Sequence, residues 1–153
     1  MHISGVRVTV PVGEKKISAV VPNLMAVMKP LGVPGIRDPR KAVRNALENP
    51  ISSRRLSEIA KGKRSAAIIV NDITRPYPGG LMVEEIVREL NSAGLDDNSI
   101  FLEVAYGIHR PNSDRELRAM FGDGVVDRLR VVDHFAGKSE TLVSLGCTKS
   151  GMP

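Results

Sequence analysis

Ala66-Ala-Ile-Ile-Val-Asn-Asp-Ile-Thr-Arg-Pro-Tyr-Pro78 is the stretch whose reading decides the fold. Its first five residues form an unbroken apolar run, the pattern of a strand covered on both faces of a parallel sheet. The rest is polar and proline-bearing, so the strand ends near Asn71. Helical spacing follows over 80–93, where Val83, Ile86, Val87 and Leu90 fall at i, i+3, i+4 and i+7. Gly94 closes that helix. A second strand runs from Ile100 to Tyr106 and leads into a second polar segment, Gly107-Ile-His-Arg-Pro111. A helix over 113–121 takes Asn112 or Ser113 as its cap. Arg130-Val-Val-Asp133 is a third, shorter strand, and Glu140 to Leu145 fits a fourth. Strand, helix, strand, helix, strand is the βαβ rhythm, which predicts parallel strands and right-handed crossovers.

Upstream, residues 5–22 read as a β-hairpin. Val6, Val8 and Val10 alternate with polar residues, Gly13-Glu14 makes the turn, and Ile17 to Val21 returns. Residues 23–37 contain Pro30, Gly32, Pro34 and Gly35 and read as irregular. A helix at about 39–49 has Asp38 as N-cap, Pro39 at its first position and Pro50 beyond its end. A second short helix begins near Ser53, carries Leu56, Ile59 and Ala60 on one side and stops at Gly62. The expected fold is α/β: a mostly parallel sheet with helices on its faces plus an N-terminal hairpin, as a single domain over 1–153.

The 42% hydrophobic and 25% charged content suits a soluble globular chain. No apolar run approaches a membrane span, and no signal peptide is evident. Cys147 is the only cysteine, so neither an internal disulfide nor a thiolate cluster can form. That favours the cytoplasm, with Cys147 as a small buried residue. The net charge of +5 resides in one stretch: residues 37–64 hold nine Lys/Arg against three acids. Such a stretch is either a solvated helical face or a polyanion-binding surface. Five aromatics make a poor stacking platform for single strands.

Parallel strands bring their C-terminal ends to one rim, where open α/β sheets form ligand crevices. The first strand then delivers Asp72 and Arg75, the second His109 and Arg110, the third His134. Arg75, in a loop stiffened by Pro76 and Pro78, suits bidentate recognition of a carboxylate or phosphate. It could instead staple the loop by pairing with Asp72. Asp72 could orient the imidazole of His109, or form an Asx-turn. His109 is the general acid/base candidate. Arg110 has Asp114 and Glu103 as alternative partners. His134 fits an ordinary loop histidine better than a catalytic one, and His2 a disordered terminus. Gly79-Gly80 at a helix start could bind an anion through free N–H groups. Metal-ligand spacing is absent: no two histidines lie closer than 25 residues, and HExxH, CxxC, GxGxxG and Walker patterns are missing.

The Asp72–Pro78 and Gly107–Pro111 motifs, at this separation, resemble the N-terminal region of the nickel-pincer lactate racemase family. Asn49-Pro-Ile-Ser-Ser53, Leu56 to Gly62, the 80–93 helix, Phe121-Gly-Asp123 and the hairpin start share the likeness. The resemblance implies an enzyme that interconverts the stereoisomers of a small 2-hydroxy acid through hydride transfer to a nickel-pincer nucleotide. It implies His109 as one acid/base, Arg75 with Asp72 and Arg110 at the substrate, and Thr74 and Gly107 at the cofactor. In that family the second acid/base histidine, the anchoring lysine and the nickel ligand lie further along the chain, past the counterpart of Pro153. The chain is therefore expected to be the N-terminal portion of a larger two-domain enzyme. Alone it is expected to be inactive, with no metal ligands of its own and no cofactor held. Membrane and nucleic-acid partners are not expected, whereas an incomplete sheet favours homo-oligomers. The competing readings are a non-catalytic anion-binding module and a nucleic-acid-binding domain using residues 37–64.

Overall fold

The computed structural model describes residues 5–75 and 77–152, so the expectations at His2 and Pro76 lie outside it. The described residues form two compact units, 5–35 and 36–152. In the first, β1 (Gly5–Val12) and β2 (Lys15–Pro22) pair antiparallel, with Val12 opposite Lys15. Gly13 opens the two-residue turn at φ +60°, a conformation that favours glycine and matches the twist of paired strands. The Thr9 and Ser18 hydroxyls bond across the strands at 2.7 Å.

The second unit contains α1 (Pro39–Glu48), α2 (Leu56–Ala60), β3 (Ala66–Asn71), α3 (Gly79–Ser92), β4 (Ile100–Gly107), α4 (Asp114–Phe121), α5 (Asp123–Val126) and β5 (Arg130–Phe135). Its sheet has the order β3-β4-β5 and is parallel throughout, as the βαβ rhythm predicts. Asp38 caps α1, accepting from the Lys41 N–H at 2.9 Å. Ser113, rather than Asn112, caps α4, and Glu116 returns the bond to complete a capping box. α2 starts at Leu56, later than expected, because Ser52 sits at φ +51° and Arg55 is still extended. Gly122, at φ +82°, separates α4 from the four-residue α5 that spacing did not reveal.

The core lies between the sheet and α3. Ile68, Val70, Leu102, Val104 and Tyr106 meet Val83, Val87 and Leu90 there. α1, α2, α4 and α5 each pack against α3. The expectation that the 66–70 run is covered on both faces fails. Ile69 is 72% exposed and Ala67 is exposed, because all the described helices gather around α3 and the face bearing Ile69 has no cover. The fourth strand at 140–145 is also absent among the described residues. Ser139–Thr141 form one 3-10 turn, and Leu142, Val143 and Leu145 lie exposed with no strand to pair with. Cys147 is exposed, not buried, on the same irregular segment. No helix among the described residues is long and apolar enough to cross a membrane.

Two packing details bear on the sequence reading. Gly79 and Gly80 allow a close approach of neighbouring groups. A Cβ at Gly79 would sit 3.0 Å from the rings of Phe121 and Tyr77, and one at Gly80 2.7 Å from the Phe121 carbonyl. α1 has no fully buried residue and is held largely by charge. Glu85 on α3, 1% exposed, accepts from Arg40 Nη1 at 2.6 Å, Arg44 Nε at 2.8 Å and Arg88 Nε at 2.9 Å. These bonds, led by Arg44, hold its carboxyl down to about 2. A depressed carboxyl stabilises above its unfolded value and loses that contribution as pH falls, here from about 4.5 towards 2. Glu85→Gln should therefore lower stability by about 2 kcal/mol at neutral pH and flatten the acid limb of the stability profile. Urea unfolding across that range measures both effects.

Candidate active site

β3 ends at Asn71, and the next residue, Asp72, is 4% exposed. Burying a carboxylate is costly unless its oxygens are bonded. Thr74 satisfies Oδ1 twice, through its N–H at 3.1 Å and its hydroxyl at 2.6 Å. The Arg75 N–H closes the loop on the Asp72 carbonyl at 3.2 Å. Oδ2 is left for His109, whose Nδ1 lies 2.5 Å away. The Asx-turn and the imidazole contact thus coexist, one on each oxygen. The Thr74 hydroxyl first, then His109, holds the Asp72 carboxyl below its ordinary value. An ionised carboxylate only accepts, so Nδ1 of His109 carries the shared proton and Nε2 is left to exchange one. The imidazole is 51% exposed.

The second strand end is shaped to deliver that ring. A register irregularity between Ala105 and Gly107 precedes the turn, and Gly107 adopts φ +60°. The His109 N–H then bonds the Tyr106 carbonyl at 3.0 Å. Two residues the sequence reading missed join the loops. Asn112 Oδ1 accepts from the Ile73 N–H at 3.3 Å, and the Asn112 N–H donates to the Tyr106 hydroxyl at 3.0 Å. Tyr106 stacks on Phe135, with ring centroids 5.0 Å apart. Asn112 read only as a helix cap, and Tyr106 only as strand. The signal that could have found them is a polar residue just outside the second motif and a phenol just before it.

Asn71, Asp72, Arg75, Ala105, Tyr106, Gly107, Ile108 and His109 line one pocket of about 320 Å³. Arg75 makes no ion pair among the described residues, so it is not a staple to Asp72. Arg110, expected at the substrate, forks onto Glu116 at 2.9 and 2.7 Å, a partner the spacing did not suggest. His134 lies within β5 opposite Ala105 and is not part of the lining. Among the described residues no group of three or more His, Cys, Asp or Glu side chains could hold a metal ion.

The lactate racemase N-terminal domain model matches residues 12–153. The chain belongs to the lactate racemase N-terminal domain family. It is 35% identical over 112 residues to a lactate racemase of Lactiplantibacillus plantarum, covering 73% of this chain and 26% of that protein. It is 35% identical over 109 residues to one from Thermoanaerobacterium thermosaccharolyticum, covering 71% and 25%. The solved lactate racemase apoprotein from the latter organism matches with a TM-score of 0.70 at 29% identity, over 96% of this chain and 34% of that one. The chain thus spans about a quarter of the length of the curated lactate racemases it matches.

The local chemistry of this lactate racemase N-terminal domain makes Thr74 the main brace of Asp72. Thr74→Val should raise the Asp72 carboxyl towards the ordinary 3.8. The stability Asp72 contributes, present above that value and lost as pH falls below it, should shrink accordingly. Carbon-13 NMR of the Asp72 carboxyl during an acid titration reads the change.

Proposed function

We propose that this domain forms one wall of the active site of an enzyme that interconverts the stereoisomers of a 2-hydroxy acid of the lactate type. The observation that carries the reading is the hydrogen bond from His109 to the buried Asp72 carboxylate. It orients an imidazole at a pocket, with Nε2 free to take and return the proton of the substrate hydroxyl. Arg75, on the same lining and without an ion pair among the described residues, is the group to hold the substrate carboxylate. Asp72 acts through His109. Thr74, assigned above to the cofactor, bonds Asp72 and serves to hold that carboxylate in place. Gly107 borders the pocket without a side chain and leaves room for a bound group.

The resemblance also implies a nickel-pincer cofactor, which when bound would accept hydride from the substrate's α-carbon. The described residues hold no cluster of three or more metal-ligating side chains, a set that a pincer bringing its own ligands to nickel does not require. No step above depends on it.

The basic stretch 37–64 is less available to nucleic acid than its charge suggests. Arg40, Arg44 and Arg55 are bonded to Glu84, Glu85 and Glu89 on α3. A non-catalytic anion module would need Arg75 but not His109, and substitution separates the two. In a lactate racemase polypeptide carrying this domain, His109→Ala should cut racemisation about a thousandfold with an unchanged circular dichroism spectrum. Turnover near the parent rate would sink the assignment.

A further inference from the structure

The βαβ rhythm puts His134 on the same rim as His109, and the racemase reading leaves it without a task. His134 lies in β5 rather than in a loop. It is paired with Ala105, which is paired in turn with Asn71. Residues paired in register across a parallel sheet point to the same face. Two contacts fix the faces of β5. The Arg130 guanidinium lies 5.4 Å over the ring of its register partner Phe101, so Arg130, Val132 and His134 share the side of Phe101, Glu103 and Ala105. Phe135 stacks on Tyr106 on the other side. Asn71, Ala105 and His134 therefore form one row near the carboxyl ends of three strands, where ligands of open α/β sheets sit.

Asn71 and Ala105 already line the His109 pocket, and His134 stands one strand further along their row. Strands lie about 4.8 Å apart, so Asn71 and His134 flank a trough about 10 Å wide. Its floor is the Ala105 methyl group, too small to fill it. Asn71 is exposed and His134 partly buried, and neither side chain hydrogen-bonds another described residue. A pocket of about 320 Å³ suits a ligand larger than a three-carbon acid. With the substrate carboxylate on Arg75 and the reacting hydroxyl at His109, the remaining room lies over Ala105.

Charge decides what group belongs there. The pocket lining holds one guanidinium, Arg75, and the substrate carboxylate takes it. Arg130 and Lys138 are drawn over the Phe101 and Phe135 rings. Glu103 lies on the same face as His134, two residues before Ala105, and makes no ion pair among the described residues. Its charge opposes a second anion in the trough. An amide and an imidazole both donate and accept, which matches a neutral hydroxyl.

We propose that Asn71 and His134 form a specificity subsite that hydrogen-bonds a further hydroxyl of the substrate, on the carbon chain beyond the reacting centre. The preferred substrates are then polyhydroxy acids rather than lactate itself. This deepens the racemase reading and rests on it, since that reading places the carboxylate and the reacting hydroxyl.

Three four-carbon probes test it: 2-hydroxybutanoate, 2,4-dihydroxybutanoate and the dicarboxylate 2-hydroxybutanedioate. Each is titrated into the 153-residue chain while NMR follows the His109 and His134 rings. All three should move the His109 signals. The dihydroxy acid alone should move those of His134, and it should bind roughly fivefold tighter than 2-hydroxybutanoate, the worth of one neutral hydrogen bond. His134→Ala should erase that difference, and His134→Gln should keep part of it. Unmoved His134 signals at the highest dihydroxy acid concentration would overturn the proposal. So would tightest binding of the dicarboxylate, or a difference that survives His134→Ala. If His109 responds while His134 stays silent, the subsite falls and the racemase reading stands. Silence at both rings counts against both.

Discussion

Asp72 must be buried and ionised at once, and a carboxylate in that position persists only if both oxygens are bonded. The fold meets this condition with groups from two strand ends. Thr74 takes Oδ1 from within the same loop, and His109 takes Oδ2 from the next parallel strand. Parallel pairing of β3 with β4, Asn71 opposite Ala105, brings residues 37 positions apart within one hydrogen bond. An antiparallel pairing would put those loops at opposite ends of the sheet. The pocket chemistry is therefore a consequence of strand direction before it is a consequence of side-chain choice.

The domain contains a second buried carboxylate with the opposite outcome. Glu85 is surrounded by Arg40, Arg44 and Arg88, which consume its accepting capacity and fasten α1 to α3. Removing one member leaves buried charge uncompensated, so this cluster is structural. Asp72 faces a single imidazole that is half exposed and can exchange protons with a ligand. The two carboxylates differ less in burial than in partner. Three guanidiniums, permanently charged, give a fixed tie, whereas an imidazole bonded through Nδ1 keeps a second nitrogen to pass a proton.

The local rules were legible wherever short-range chemistry decides structure. The Gly13 turn, the Asp38 cap, the helical spacing of Val83, Ile86, Val87 and Leu90, and the βαβ rhythm each rest on neighbours within a few residues. The placement of Asp72, Arg75 and His109 at one pocket followed from that rhythm. What was not legible depends on partners distant in sequence. Coverage of Ile69 depends on where other helices dock, which the apolar run 66–70 does not encode. Arg110 found Glu116 because the capping box of α4 fixes that carboxylate nearby. The closeness of Phe121 to Gly79-Gly80 is likewise invisible in sequence. The 140–145 segment has strand-like residues but no adjacent strand to bond.

The central claim is that the Asp72 carboxylate holds the His109 proton on Nδ1 and leaves Nε2 to face the ligand. Nitrogen-15 NMR of the neutral His109 ring tests this directly. The account predicts the Nδ1–H tautomer, and its loss in Asp72→Ala. A dominant Nε2–H tautomer in the unmodified domain would contradict it.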